Sequence, residues 1–253
     1  MHQQPKATSL KQKLEFADLL KRRLLETYND QIVAIGLYGS LGLGTSGPYS
    51  DIELHVITLD GAEIPGHEFI YDPFKIEISS REESAAIRRA SEMSDAWPIK
   101  AGSNIHIHPL YDPNEFFKRI KKLPLQISDE QFLETMREFM IWEPYETMGK
   151  LRNAMHTKNL SYIPRGAMDF AWQVAKLIGL ANKRYYTTRA KTYEESLQFV
   201  SKPAGYVDLV QLVMRGKLDD PEEVYMRCEA LWEGLNAWFE HLGIEYTNTK
   251  LPW

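Results

Sequence analysis

The sequence predicts an α+β chain, with short strands in its first half and helices throughout its second, on three observations. Apolar residues recur at helical spacing from Ser9 to Tyr28; short β-like runs separated by turns follow as far as Leu110; beyond Lys121-Lys122-Leu123-Pro124 only helical periodicity is found. The change at that point divides the chain into two predicted domains, 1–124 and 125–253.

Each element has its own local reason. In the first helix Leu10, Leu14, Ala17, Leu20, Leu24 and Tyr28 line one face, and Ser9 with Gln12 forms a capping box. The β-like runs are Ile32–Tyr38, Ile52–Thr58, Glu68–Tyr71, Phe74–Ser79 and Ile105–Leu110, bounded by turn formers such as Asp60-Gly61 and Asp72-Pro73. A polar helical stretch, Glu82–Met93, interrupts them. In the second half, residues 128–157, 165–184, 191–201, 205–215 and 221–242 are periodic, with Ser128, Pro164, Gly205 and Asp220-Pro221 as start signals. Their stripe of Trp172, Leu177, Leu231, Leu235, Trp238 and Phe239 reads as bundle core rather than as a cofactor box.

Composition narrows the function. With 253 residues, 43% hydrophobic and 26% charged, the chain has the balance of a globular protein. Mean hydropathy is -0.40 and no apolar run approaches ~18 residues, so no membrane span is expected. The polar segment Met1–Lys13 lacks the apolar core of a signal peptide, and the single cysteine, Cys228, rules out an intrachain disulfide framework or a cysteine zinc site; the expected location is the cytoplasm. A net charge of -5 argues against a nucleic-acid partner and suits a cationic ligand.

The chemistry concentrates between Ala34 and Leu54, where one β-run ends at Gly39-Ser40, a glycine-rich connection follows, and another β-run begins at Asp51. Glycines let backbone N–H groups approach a ligand and a serine hydroxyl adds a donor, which together suit a phosphate. Gly42, Gly44 and Gly47 match the letters of the dinucleotide fingerprint, but Pro48 and a new strand follow where that motif needs a helix, and no lysine follows Gly44 as a P-loop requires. Asp51 and Glu53, two apart, project from the same face. Like charges so placed call for a cation, and hard oxygens at this spacing suit Mg²⁺ carrying a nucleotide's phosphates. Glu77 shares a face with Lys75; it is either a further ligand across the sheet or a pocket wall. Glu143, Glu146 and Lys150, at i, i+3 and i+7, share one predicted helical face, as a salt-bridged surface or as an acid–base group. The acidic residues around Glu68 and along 130–146 are solvated faces or anionic walls for a polycation. His106-x-His108 falls on one predicted strand face without a third ligand, so no zinc is expected; His55 continues the Asp51 and Glu53 face and reads as structural, or else as a support for that pair.

Several motifs together carry a resemblance: Tyr38-Gly39-Ser40-Leu41-Gly42, Gly47-Pro48-Tyr49-Ser50-Asp51-Ile52-Glu53, Lys75-Ile76-Glu77, Trp97-Pro98, Gly149-Lys150-x-Arg152-Asn153, Ile178-Gly179-Leu180 and Tyr186-Thr187-Thr188. Over essentially the whole chain these resemble the aminoglycoside 4'-O-nucleotidyltransferases, within the superfamily that includes DNA polymerase beta. The resemblance implies an N-terminal mixed-sheet nucleotidyltransferase domain followed by a C-terminal helical bundle. It implies transfer of AMP from Mg-ATP, or of another nucleoside monophosphate from its triphosphate, to the 4'-hydroxyl of aminoglycosides such as kanamycin or tobramycin, conferring resistance. By the same likeness Asp51 and Glu53 hold Mg²⁺, Gly39, Ser40, Ser50 and Thr188 serve the phosphates, and Lys150 meets the α-phosphate. Glu146 is the general base, and Glu68, Lys75, Glu77 and Glu143 lie with it near the sugar. The family works as a homodimer with shared active sites. Two departures stand out: Leu43 replaces an arginine of the kanamycin-modifying member, and Pro144 lies within the predicted helix just before the base, where it should kink the chain. The rivals are a related nucleotidyltransferase with a protein or RNA acceptor and a non-catalytic nucleotide-binding protein of this fold.

Overall fold

The computed structural model describes residues 4–251 and 253, so Met1–Gln3 of the polar N-terminal segment lie outside the described residues. The chain forms two compact units, one of Met1–Glu92 with Lys100–Ile127, the other of Met93–Ile99 with Ser128–Trp253.

The first unit opens with α1 (Leu10–Tyr28), whose start is the expected capping box: Ser9 N–H donates to Gln12 Oε1 at 2.8 Å, and Gln12 N–H to Ser9 Oγ at 3.2 Å. Next come β1 (Ile32–Leu37), α2 (Gly39–Leu43), β2 (Ile52–Thr58), β3 (His67–Tyr71), β4 (Phe74–Glu82) and α3 (Glu83–Ser91). After α4 (Trp97–Ile105), which straddles the division between the units, come β5 (His108–Tyr111) and α5 (Phe116–Ile120). The sheet runs β3-β4-β2-β1-β5; β2 and β4 are parallel and the other pairs antiparallel, so it is mixed.

Strand alternation sends Ile35, Leu37, Ile52, Leu54, Ile76 and Ile78 to one face, where they bury against Ala17 and Leu24 of α1. Ala34, Ile57 and Tyr38 go to the other, packed with Ala86 and Ala90 of α3 and Phe116, Phe117 and Ile120 of α5. The β2–β4 register pairs Glu53 with Glu77 and His55 with Ser79 on this second face.

The second unit contains α6 (Asp129–Trp142), α7 (Pro144–His156), α8 (Ile163–Ala181), α9 (Thr192–Ser196), α10 (Tyr206–Arg215) and α11 (Pro221–His241). Its core is α8, where Phe170, Val174, Leu177 and Ile178 are fully buried, together with Leu231, Leu235, Trp238 and Phe239 of α11; Trp172 is only half-buried. Cys228 is fully buried there, and burial pushes its thiol up to about 12. No described helix is long and apolar enough to cross a membrane.

Three local expectations need correction. The predicted strand Ile105–Leu110 is the end of α4, a turn and the start of β5, so His106 and His108 share no strand face. Pro98 sits in the first turn of α4, where its missing N–H has no helical partner to lose. The glycine-rich connection contains the one-turn helix α2, closed by Gly44 in the left-handed region at φ +79. Residues 128–157 form two helices, because Pro144 opens α7 rather than kinking a continuous helix.

The Trp97-Pro98 segment explains Gly179. A Cβ on Gly179 would lie 2.6 Å from Pro98 Cβ, and the Pro98 carbonyl accepts from Tyr186 N–H at 2.7 Å. Gly179→Val should therefore cost at least about 2 kcal/mol in urea unfolding. Gly179→Ala should cost less, since helix propensity returns about 1 kcal/mol. Unchanged stability in the valine variant would show that Pro98 does not press on this helix.

Candidate functional site

The phosphate-cradle segment is built around one close approach. Tyr38 N–H donates to the Glu53 carbonyl at 3.0 Å, and the chain then turns at Gly39 with φ +58. A Cβ at Gly39 would fall 1.7 Å from Glu53 Oε2, so only glycine fits. Ser40 N–H then faces the Glu53 carboxylate, while Ser40 Oγ is buried without a partner. Further along, Gly47 N–H donates to Ser50 Oγ at 2.9 Å, and Asp51 closes the loop immediately before β2.

Glu53 is half-buried, and its carboxyl is raised to about 7, first by burial and then by the charges of Asp51 and Glu77. Lys75 and the Ser40 N–H oppose that rise. Lys75 bridges Asp51 at 3.2 Å and Glu68 at 3.0 Å, so these substrate and metal candidates form one charged group. Glu77 accepts from the Tyr38 hydroxyl at 2.6 Å, and the Tyr38 ring stacks on His55 with centroids 3.9 Å apart and planes within 8°. Burial, with Glu77 as acceptor, pushes the Tyr38 phenol well above its usual value. Burial and the Arg81 charge pull His55 down to about 3, so it is a neutral structural ring. The first unit thus gathers Gly39, Ser40, Ser50, Asp51, Glu53, Glu68, Lys75 and Glu77.

These residues fit a cation carried by a nucleotide. Among the described residues no three His, Cys, Asp or Glu side chains converge into a metal cage. Mg²⁺ characteristically takes one or two carboxylates and draws its other oxygens from water and substrate phosphates. Asp51 and Glu53 would supply the carboxylates, the second of them already facing the Ser40 N–H.

The second unit carries Glu143, Glu146, Lys150 and Thr188. Glu146 and Lys150 pair at 2.6 Å, both more than half exposed, and Glu146 raises the lysine's pKa. Glu146 lies in the first turn of α7, where the helix dipole favours a carboxylate. The expected single helical face is not formed, because Glu143 lies between the two helices at φ -120 and ψ -67. Its carboxylate accepts from Gln173 Nε2 at 2.9 Å. Thr188 caps a separate turn, its Oγ1 accepting from Lys191 N–H at 3.3 Å.

Sequence reasoning missed Tyr38 and Trp142. Tyr38 follows β1 on the Glu53 face, and period-two alternation through Ala34, Gly36 and Tyr38 would have placed it there. Trp142, 75% exposed, lines an open hollow of about 500 Å³ with Ile141, Tyr145, Glu146, Gly149 and Lys150. An exposed tryptophan beside charged candidates has no distinguishing periodicity.

Comparison with known proteins places the chain in a family. Residues 114–245, just over half of the chain, match the KNTase C-terminal domain family. Aminoglycoside nucleotidyltransferase (4') from a Bacillus species is 32% identical over 233 residues, covering 92% of each chain, and the protein of that name from Staphylococcus aureus matches equally. The crystal structure of a nucleotidyltransferase-like protein from Exiguobacterium sibiricum superposes with a TM-score of 0.55 at 14% identity, over 88% of this chain and 74% of that one, a likeness of fold alone. By sustained identity across nearly the full length of both relatives, the chain belongs to the aminoglycoside nucleotidyltransferase (4') family and is a nucleotidyltransferase.

Proposed function

We propose that the protein transfers AMP from Mg-ATP to the 4'-hydroxyl of an aminoglycoside such as kanamycin or tobramycin, in the cytoplasm, and so confers resistance. Glu53 carries this proposal: its half-buried carboxylate, facing the Ser40 N–H and repelled by Asp51 and Glu77, is an arrangement that a cation carrying phosphates would neutralise. When bound at Asp51 and Glu53, Mg²⁺ supplies charge neutralisation of the phosphates.

Gly39, Ser40 and Ser50 hold the triphosphate, with Thr188 as a further phosphate contact. Glu146 accepts the proton of the attacking hydroxyl, and Lys150 meets the charge on the α-phosphate oxygens. The sugar oxygen bonds to the α-phosphorus, the bond to the bridging oxygen breaks, and pyrophosphate leaves. Glu68, Lys75, Glu77 and Glu143 orient the antibiotic, whose ammonium groups suit this acidic set. A homodimer with shared sites is supported by the exposed Ile141, Trp142 and Tyr145 next to Glu146.

Pyrophosphate release from Mg-ATP should appear with kanamycin or tobramycin and not with an analogue lacking the 4'-hydroxyl; no release with any aminoglycoside would redirect the search to another acceptor. Glu146→Gln should keep nucleotide binding and lose at least about 100-fold in kcat. Near-normal turnover would remove it as the base.

Glu53 also fixes a pH dependence. Its folded pKa of about 7 exceeds the ordinary 4.5, so without a cation the folded protein keeps a proton that the unfolded chain loses, and stability falls as pH rises through that window. A cation requires the ionised form, so Mn²⁺ affinity measured calorimetrically without nucleotide should be about 30-fold weaker at pH 5.5 than at pH 8.5 and level off above pH 7. A flat profile would exclude Glu53 as a ligand.

A further inference from the structure

Lys13 lies on α1 but is only 1% exposed, an uncommon place for an ammonium group. Among the described residues no carboxylate lies within ion-pair distance of it. Its Nζ instead donates to the Gly47 carbonyl and, at 3.2 Å, to Ser46 Oγ. Burial lowers its pKa while the nearby charge of Asp51 opposes that shift.

Gly47 is the node of this contact. Its carbonyl accepts from Lys13 and, at 3.2 Å, from Ser50 N–H; its own N–H donates to Ser50 Oγ. Thr8, just ahead of α1, adds two bonds to the next residue, its N–H at 2.8 Å and its Oγ1 at 3.2 Å from the Pro48 carbonyl. Three consecutive loop residues are therefore tied to one end of α1, immediately before Ser50 and Asp51. From Gly39 to Asp51 the loop contains no lysine or arginine of its own.

We propose that Lys13 is a positioning residue for nucleotide binding: from beneath the loop it fixes the Ser46–Pro48 turn, so that the Ser50 hydroxyl and the Asp51 carboxylate are presented together to the phosphates and their cation. The role rests on the nucleotidyl-transfer function proposed above. It differs from general support of the fold because it acts on one ligand and one step. A buried ammonium beneath a loop free of basic residues also favours anions above it, with little screening by salt.

The test compares Lys13→Met, which keeps length and loses charge, with Lys11→Met, an exposed lysine of the same helix. In the ligand-free Lys13→Met protein, amide exchange at Gly47 and Ser50 should quicken about tenfold while Ile76 and Ile78 of β4 stay protected. Its Kd for Mg-ATP, measured without acceptor, should rise about tenfold, as expected for losing hydrogen bonds from a charged donor. Turnover at saturating nucleotide and the KM for the antibiotic should stay within about threefold of the parent. Lys13→Arg should recover part of the affinity, and Lys11→Met should match the parent throughout. Unchanged exchange, an unchanged Kd, or equal losses in kcat and antibiotic KM would overturn the role. Should Lys13→Met fail to fold, Ser46→Ala and Thr8→Val carry the same comparison with smaller shifts, and no shift in either would overturn it. A parent protein that binds no Mg-ATP would refute the proposed function, while the exchange measurement would still decide whether Lys13 anchors the loop.

Discussion

Carboxylates on one sheet face repel, and the first unit is organised around keeping two of them there. Parallel pairing of β2 with β4 fixes Glu53 beside Glu77, and the apolar residues on the opposite face, buried against α1, fix the register; a slip of one residue would send Ile52 and Leu54 to the polar side. The repulsion is met by local devices. The Gly39 turn aims the Ser40 N–H at Glu53, the Tyr38 hydroxyl holds Glu77, and Lys75 ties Asp51 to Glu68. The raised pKa of Glu53 reflects its burial first and the remaining repulsion second, and a bound cation would offset both.

Much of this was legible. Alternating apolar residues gave the strands of the site, the Ser9–Gln12 pair gave the start of α1, and the spacing of Asp51 and Glu53 gave their common face. What escaped had physical causes. Glycines at 39, 42 and 44 disguise the one-turn helix α2, whose Gly39 is needed for its positive φ and its closeness to Glu53. Apolar residues at Ile105 and Ile107 mimic strand alternation, although Pro98 has already opened a helix. Spacing counts residues and cannot register that Pro144 resets the helix, which detaches Glu143 from the face carrying Glu146 and Lys150. Lys13 was invisible because its role depends on a loop more than thirty residues away.

The two units treat charge differently. In the first, Glu53 is half-buried and its ionisation depends on that burial and on the charges of Asp51 and Glu77. In the second, Glu146 and Lys150 stand exposed in an ordinary i, i+4 pair. So exposed a pair contributes little to the helix, and little stability would be lost were either partner redirected to a ligand. Glu143, held by Gln173, which also donates to Thr147, has less freedom to turn.

Cys228, sealed in α11 with its thiol pushed up to about 12, has a bearing on the protein's surroundings. At neutral pH the thiolate, the form that oxidants and alkylating agents attack, is therefore scarce. With no second cysteine among the 253 residues, no intrachain disulfide can form, and thiol chemistry at Cys228 waits on loosening of α11.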